Sequence, residues 1–105
     1  SSQQFISGVQ LTALVQRRLG QTMERTGEPS PPDLKERTGR FRKSIDVIPN
    51  YRTQTIRFSY NPLYTSLEQY GYNPDQQVVG SIRDVVTTLY KREFRIVRDF
   101  NYANQ

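Results

Sequence analysis

The chain has 105 residues, 34% of them hydrophobic, a mean hydropathy of -0.76 and a formal charge of +5 from fifteen Lys and Arg against ten Asp and Glu. This length gives one domain with a modest core, and so few apolar side chains predict a subunit that completes its burial against neighbours. Neither cysteine nor histidine occurs, which excludes disulfide scaffolds, thiolate metal sites, cysteine nucleophiles, histidine-ligated zinc and Ser-His-Asp catalysis.

Residues 4–25 read as a first long helix, with Leu11, Leu14, Val15, Leu19 and Met23 on one apolar face and Arg17, Arg18 and Glu24 elsewhere. Phe5, Ile6, Val9 and Ala13 widen that face beyond one contact, as in a helix that packs against two surfaces or in a simple buried core helix. Thr26-Gly27-Glu28-Pro29-Ser30-Pro31-Pro32 then reads as a loop, because Gly27 suits a left-handed helix end and three prolines cannot continue a helix.

A short helix is expected over 38–46. Thr38 is a good N-cap, Gly39 eases the entry, and Phe41 and Ile45 share one face while Arg40, Arg42 and Lys43 point away from it. Residues 46–60 follow as a β-hairpin. Its second half alternates, with Thr55, Arg57 and Ser59 on one side and Ile56, Phe58 and Tyr60 on the other, and Asn50-Tyr51-Arg52 closes the turn. Pro49 has no N–H for a ladder, which places the first strand at a sheet edge.

Asn61-Pro62 starts a short helix over 61–70, with Asn as cap and Pro at the first position. Leu63 and Leu67 share a face there, and Tyr64, Glu68 and Tyr70 complete it before Gly71. Tyrosines at 51, 60, 64, 70 and 72 suit either subunit contacts or half-buried ring packing. After the turn Asn73-Pro74-Asp75, the stripe of Val78, Ile82, Val85, Val86, Leu89, Val97 and Phe100 predicts a long amphipathic helix over 78–100. Within it, the β-branched run at Phe94-Arg95-Ile96-Val97-Arg98 is the weak point, compatible also with a terminal strand. These elements describe an α+β single domain with a long N-terminal helix, a short antiparallel β element and a long C-terminal amphipathic helix.

Lys35, Arg37, Arg40, Arg42, Lys43, Arg52 and Arg57 are opposed between residues 35 and 57 only by Glu36 and Asp46. Such a cationic stretch suits phosphates through counterion release, or carboxylates of another subunit through the bidentate guanidinium fork. With Phe41, Tyr51, Phe58 and Tyr60 nearby it would also provide charge and stacking for a nucleic acid, although no helix-turn-helix, zinc-finger or RNP pattern accompanies it. No Gly-rich phosphate loop occurs, and no two acids form an acid–base pair; Glu68 beside Tyr64 and Tyr70 reads as a surface or interface glutamate. No apolar run approaches the ~20 residues that span a membrane, and no signal-peptide pattern is present. A chain without catalytic function, cofactor, metal, membrane span or small-molecule substrate is expected.

Two motifs in this order carry a resemblance: Thr38-Gly39-Arg40-Phe41-Arg42-Lys43-Ser44-Ile45 and, after the β segment, Tyr64-Thr65-Ser66-Leu67-Glu68-Gln69-Tyr70-Gly71. Over about residues 5–100 the chain resembles the neck and tail-completion (minor tail component) family of tailed bacteriophages. The spacing of the second motif to its Gly differs from the commonest form, and the Pro-rich segment before the last helix is reduced to Asn73-Pro74. The resemblance implies a virion structural protein, made in the bacterial cytoplasm, that forms an oligomeric ring joining the portal or connector to the tail. Its partners would be further copies of itself, other neck, connector or tail proteins, and DNA passing through the lumen. Arg40, Arg42, Lys43, Arg52 and Arg57 would meet acidic neighbours or that DNA, with Phe41 beside them, while Tyr64, Leu67 and Tyr70 would lie at subunit contacts. The alternative is a small basic nucleic-acid-binding protein.

Overall fold

The computed structural model describes residues 5–26, 34–71 and 73–99. In chain order these form α1 (Gly8–Thr26), α2 (Leu34–Ser44), β1 (Asp46–Asn50), β2 (Thr55–Ser59), a 3-10 helix η1 (Pro62–Tyr70), α3 (Pro74–Tyr90) and β3 (Arg95–Arg98). The α+β class is as expected.

Helix α1 begins at Gly8 because Ser7 caps it reciprocally. The Ser7 hydroxyl accepts from the Gln10 N–H at 3.2 Å, and the Gln10 side chain accepts from the Ser7 N–H at 3.1 Å. Leu11, Val15 and Leu19 turn wholly inward. Val9, assigned above to the apolar face, lies outside at 83% exposure.

Helix α2 departs from the expected 38–46. It starts at Leu34, so Thr38 and Gly39 lie in its interior and not at its entry. Lys35, Glu36 and Arg37 are strong helix formers and carry the helix back beyond Thr38. Gly39 has no positive φ, and a methyl group added there would meet nothing within 4 Å. Gly39→Ala is therefore expected to raise the unfolding free energy by about 0.5–1 kcal/mol, checked by urea titration. A glycine needed to turn the chain would give a loss.

The hairpin pairs in the register Val47↔Phe58, Ile48↔Arg57 and Pro49↔Ile56, closed by a turn over 51–54. In that turn Asn50 Oδ1 accepts from the Thr53 N–H at 3.2 Å, and Gln54 takes a φ of 55°. The sheet order β1-β2-β3 places Pro49 on an edge strand, as its missing N–H requires. That edge is closed by α1. The Thr12 hydroxyl donates to the Val47 carbonyl at 3.1 Å and accepts from the Val47 N–H at 3.0 Å, and Gln16 Nε2 donates to the Ile45 carbonyl at 3.1 Å.

The helix expected over 78–100 is instead two elements. Asn73 Oδ1 accepts from the Gln76 N–H at 3.1 Å and Pro74 occupies the first turn, so α3 starts earlier. It ends where Lys91 turns left-handed, with φ 55°, and donates its N–H to the Thr87 carbonyl at 2.9 Å. The β-branched run beyond becomes β3, parallel to β2, with Ile96 opposite Ile56. Ile96 and Val97 favour a pleated, half-buried position, and β2 offers them an open edge.

Val47, Ile56 and Phe58 face the helices and join Phe41, Ile45, Tyr60, Val78, Ile82, Val86 and the α1 stripe in one core. Ser59 is also fully buried, and among the described residues its hydroxyl has no hydrogen-bond partner. Phe41 and Ile45 are satisfied inside a single copy, so any burial borrowed from neighbours must come from other residues.

Candidate functional site

The cations clustered in sequence do not form one patch. Arg42 and Lys43 occupy the last turn of α2, where positive charge complements the helix dipole, and Arg40 is exposed one turn earlier. Arg42 is half-buried. It crosses α1 at Gly20, where even a methyl group would run into its guanidinium, so part of its role is packing the two helices together. Arg52 sits in the hairpin turn, a strand length of about 17 Å beyond the start of β1. Arg57 points from the sheet face opposite the helices and pairs with Asp99 at 3.4 Å. Arg40, Arg42, Lys43, Arg52 and Arg57 are thus divided among a helix end, a turn and a sheet face.

Phe41, placed above at an interface, is at 0% exposure and offers nothing to a partner. Its ring meets Tyr60 edge-on at 5.1 Å and Tyr64 at 5.7 Å, so Tyr64 is half-buried packing as well. The side chains of Leu67 and Tyr70 lie outside the described residues. At the hairpin end, Tyr51, Tyr90, Phe5 and Phe94 form a second aromatic cluster, with Phe5 stacked on Tyr51 at 4.4 Å. Burial, then the hydrogen bond with Tyr90, push the Tyr51 hydroxyl well above its ordinary pKa. These rings serve the fold.

A third group ties β2, α3 and β3 together. The Tyr60 hydroxyl donates to Asp75 Oδ1, and Arg98 Nη1 donates to Asp75 Oδ2 at 2.7 Å. Burial, followed by the Asp75 contact, raises the Tyr60 pKa far above its ordinary 10. Burial alone would lower the Arg98 pKa, but Asp75 and Tyr60 outweigh it and the net shift is upward. The group is structural, since its members saturate one another.

What sequence reasoning missed is a groove of about 700 Å³ between the outer faces of α1 and α3. Its apolar lining is Leu14, Val85 and Leu89, the last 41% exposed, and its charged lining is Arg17, Arg18, Arg83 and Asp84. Asp84 is held by Arg18 at 3.0 Å. Arg17 and Arg83 have no ion pair among the described residues, so the groove is cationic. Arg17, Arg18, Arg83 and Asp84 each read singly as a solvated helix position, and no spacing in the sequence announces that the two helix faces adjoin.

Among the described residues no three acids gather to hold a metal, and no helix is long and apolar enough to cross a membrane. No protein family, curated protein or solved structure matches the chain.

Proposed function

We propose that this chain is a non-enzymatic structural subunit of a tailed-bacteriophage virion, one copy in an oligomeric ring that joins the head, at the portal or connector, to the tail. The motifs around Phe41 and Tyr64 suggest the class. The observation that carries the reading is the surface left once the core is complete. Leu63 on η1 is 70% exposed, and Val9 on α1 and Leu89 on α3 are also bare. Leu89 lies in the groove beside Arg17 and Arg83, which have no ion pair among the described residues. Uncovered apolar side chains next to unpaired charge on separate elements are what a subunit needs to contact unlike surfaces of its neighbours.

The second reading, a basic nucleic-acid-binding protein, rests on the +5 charge and on the exposed Arg40 and Lys43 at the end of α2. Electron cryo-microscopy of a particle containing this chain separates the two. The ring reading expects several copies around one axis between portal and tail. Particles without such density, together with a monomer whose DNA affinity falls linearly with salt on logarithmic axes, would favour the second reading.

A further inference from the structure

Helix η1 has features complementary to the groove between α1 and α3. With three residues per turn, η1 carries three rows of side chains. Tyr64 turns toward Phe41 and the core, whereas Leu63, Ser66 and Gln69 in one row, and Pro62, Thr65 and Glu68 in another, are all exposed. Ser66 and Thr65 spend their hydroxyls on the Leu63 and Pro62 carbonyls, at 3.0 and 2.8 Å. The ridge therefore presents chiefly an apolar knob, Leu63, and a carboxylate, Glu68, that has no ion pair among the described residues. They are separated by about 10 Å along the helix, at about 2 Å per residue. In the groove, Leu89 and Arg83 are separated by about 9 Å along α3, at 1.5 Å per residue.

We propose that the α1/α3 groove of one copy receives η1 of a second copy, with Leu63 seated among Leu14, Val85 and Leu89 and Glu68 facing Arg17 and Arg83. The inference rests on the assembly reading above and names its contact. Charge complementarity selects this occupant. The groove carries two guanidinium groups without an ion pair among the described residues around an apolar floor, and the same chain displays an exposed leucine and an exposed carboxylate at a matching separation along the helix. Because knob and groove are different surfaces, the contact is head-to-tail and repeats from copy to copy, closing into a ring when the rotation permits.

Two variants test it: Leu63→Asp with Glu68→Gln removes the knob, and Arg17→Glu with Arg83→Glu removes the groove. All four residues lie outside the buried core, so circular dichroism and melting should match the wild-type chain. Each variant alone is expected to self-associate about 30-fold or more weakly in sedimentation velocity. An equal mixture should form a one-to-one dimer and stop there, because each variant keeps the half that the other lacks. The contact is overturned if either variant assembles like wild type, if the mixture stays monomeric, or if wild type is monomeric at about 1 mM. Rings in particles built from either variant would remove this contact and leave the assembly reading standing. Wild-type particles without a ring would remove the assembly reading itself.

Discussion

Phe41→Ala is expected to lower the unfolding free energy by about 3–5 kcal/mol, the loss found when a fully buried phenylalanine is truncated and its cavity only partly collapses. Phe41 is at 0% exposure in the last turn of α2, against Tyr60 and Tyr64, and belongs to the core that joins α1, the sheet and α3. No flexible segment is on hand to refill the space, because two of its neighbours are rigid rings. A domain of this size has only about 5–15 kcal/mol in total, so the variant should melt far below wild type or be partly unfolded at 25 °C. Phe41→Leu, which keeps most of the volume, should cost much less. Urea titrations of both decide the matter. A small loss from Phe41→Ala would mean that α2 is loosely attached and that Phe41 is free to serve a partner after all.

Asp75→Ala is expected to be the next most damaging change, at about 2–4 kcal/mol. It removes the carboxylate that accepts from the buried Tyr60 hydroxyl and from Arg98, and with it the negative charge in the first turn of α3. Asp75→Asn, which keeps one acceptor, should cost less. The same cluster makes the protein sensitive to alkali. The folded-state pKa of Tyr60 lies above the ordinary 10, so its contribution is complete below pH 10 and is lost as pH rises toward the folded value. Over that interval stability should fall by up to about 1.4 kcal/mol per pH unit from Tyr60, with a smaller part from the less buried Tyr51. Tyr60→Phe should remove most of this slope. Unfolding curves at pH 9, 10 and 11 that show equal slopes for both proteins would assign the alkaline loss to other groups.

Much of the architecture was legible because it depends on near neighbours in the chain. The periodicity of Leu11, Val15 and Leu19 marked the buried side of α1, and that of Val78, Ile82 and Val86 marked the buried side of α3. The alternation of Ile56 and Phe58 oriented β2, and the missing N–H of Pro49 placed β1 at an edge. The misplaced boundaries share one cause. Thr38-Gly39 has the chemistry of a helix start, but a cap is used only where the preceding residues cannot continue the helix, and Lys35-Glu36-Arg37 can. Likewise the helical stripe running through Val97 was real as a pattern, yet β2 offered Ile96 and Val97 a strand partner that local spacing cannot reveal.

The candidate site was much less legible. Arg40, Arg42, Lys43, Arg52 and Arg57 are close in sequence, but a hairpin sends its turn one strand length from its base and its alternate residues to opposite faces. Arg40, Arg42 and Lys43 stay together at the end of α2, and Arg52 and Arg57 part from them as the chain folds. Arg17 and Arg83 are far apart in sequence and line one groove only because α1 and α3 pack side by side.

The chain's own residues determined the α+β class, the absence of thiol and imidazole chemistry, the inward faces of the helices and the edge position of β1, since each follows from side-chain type and short-range periodicity. Tertiary structure alone decided that 95–98 becomes a strand, that Phe41 is core, that the cations disperse and that a cationic groove forms between two distant helices. These outcomes depend on pairing and packing between remote segments, whose free energy no local stretch contains.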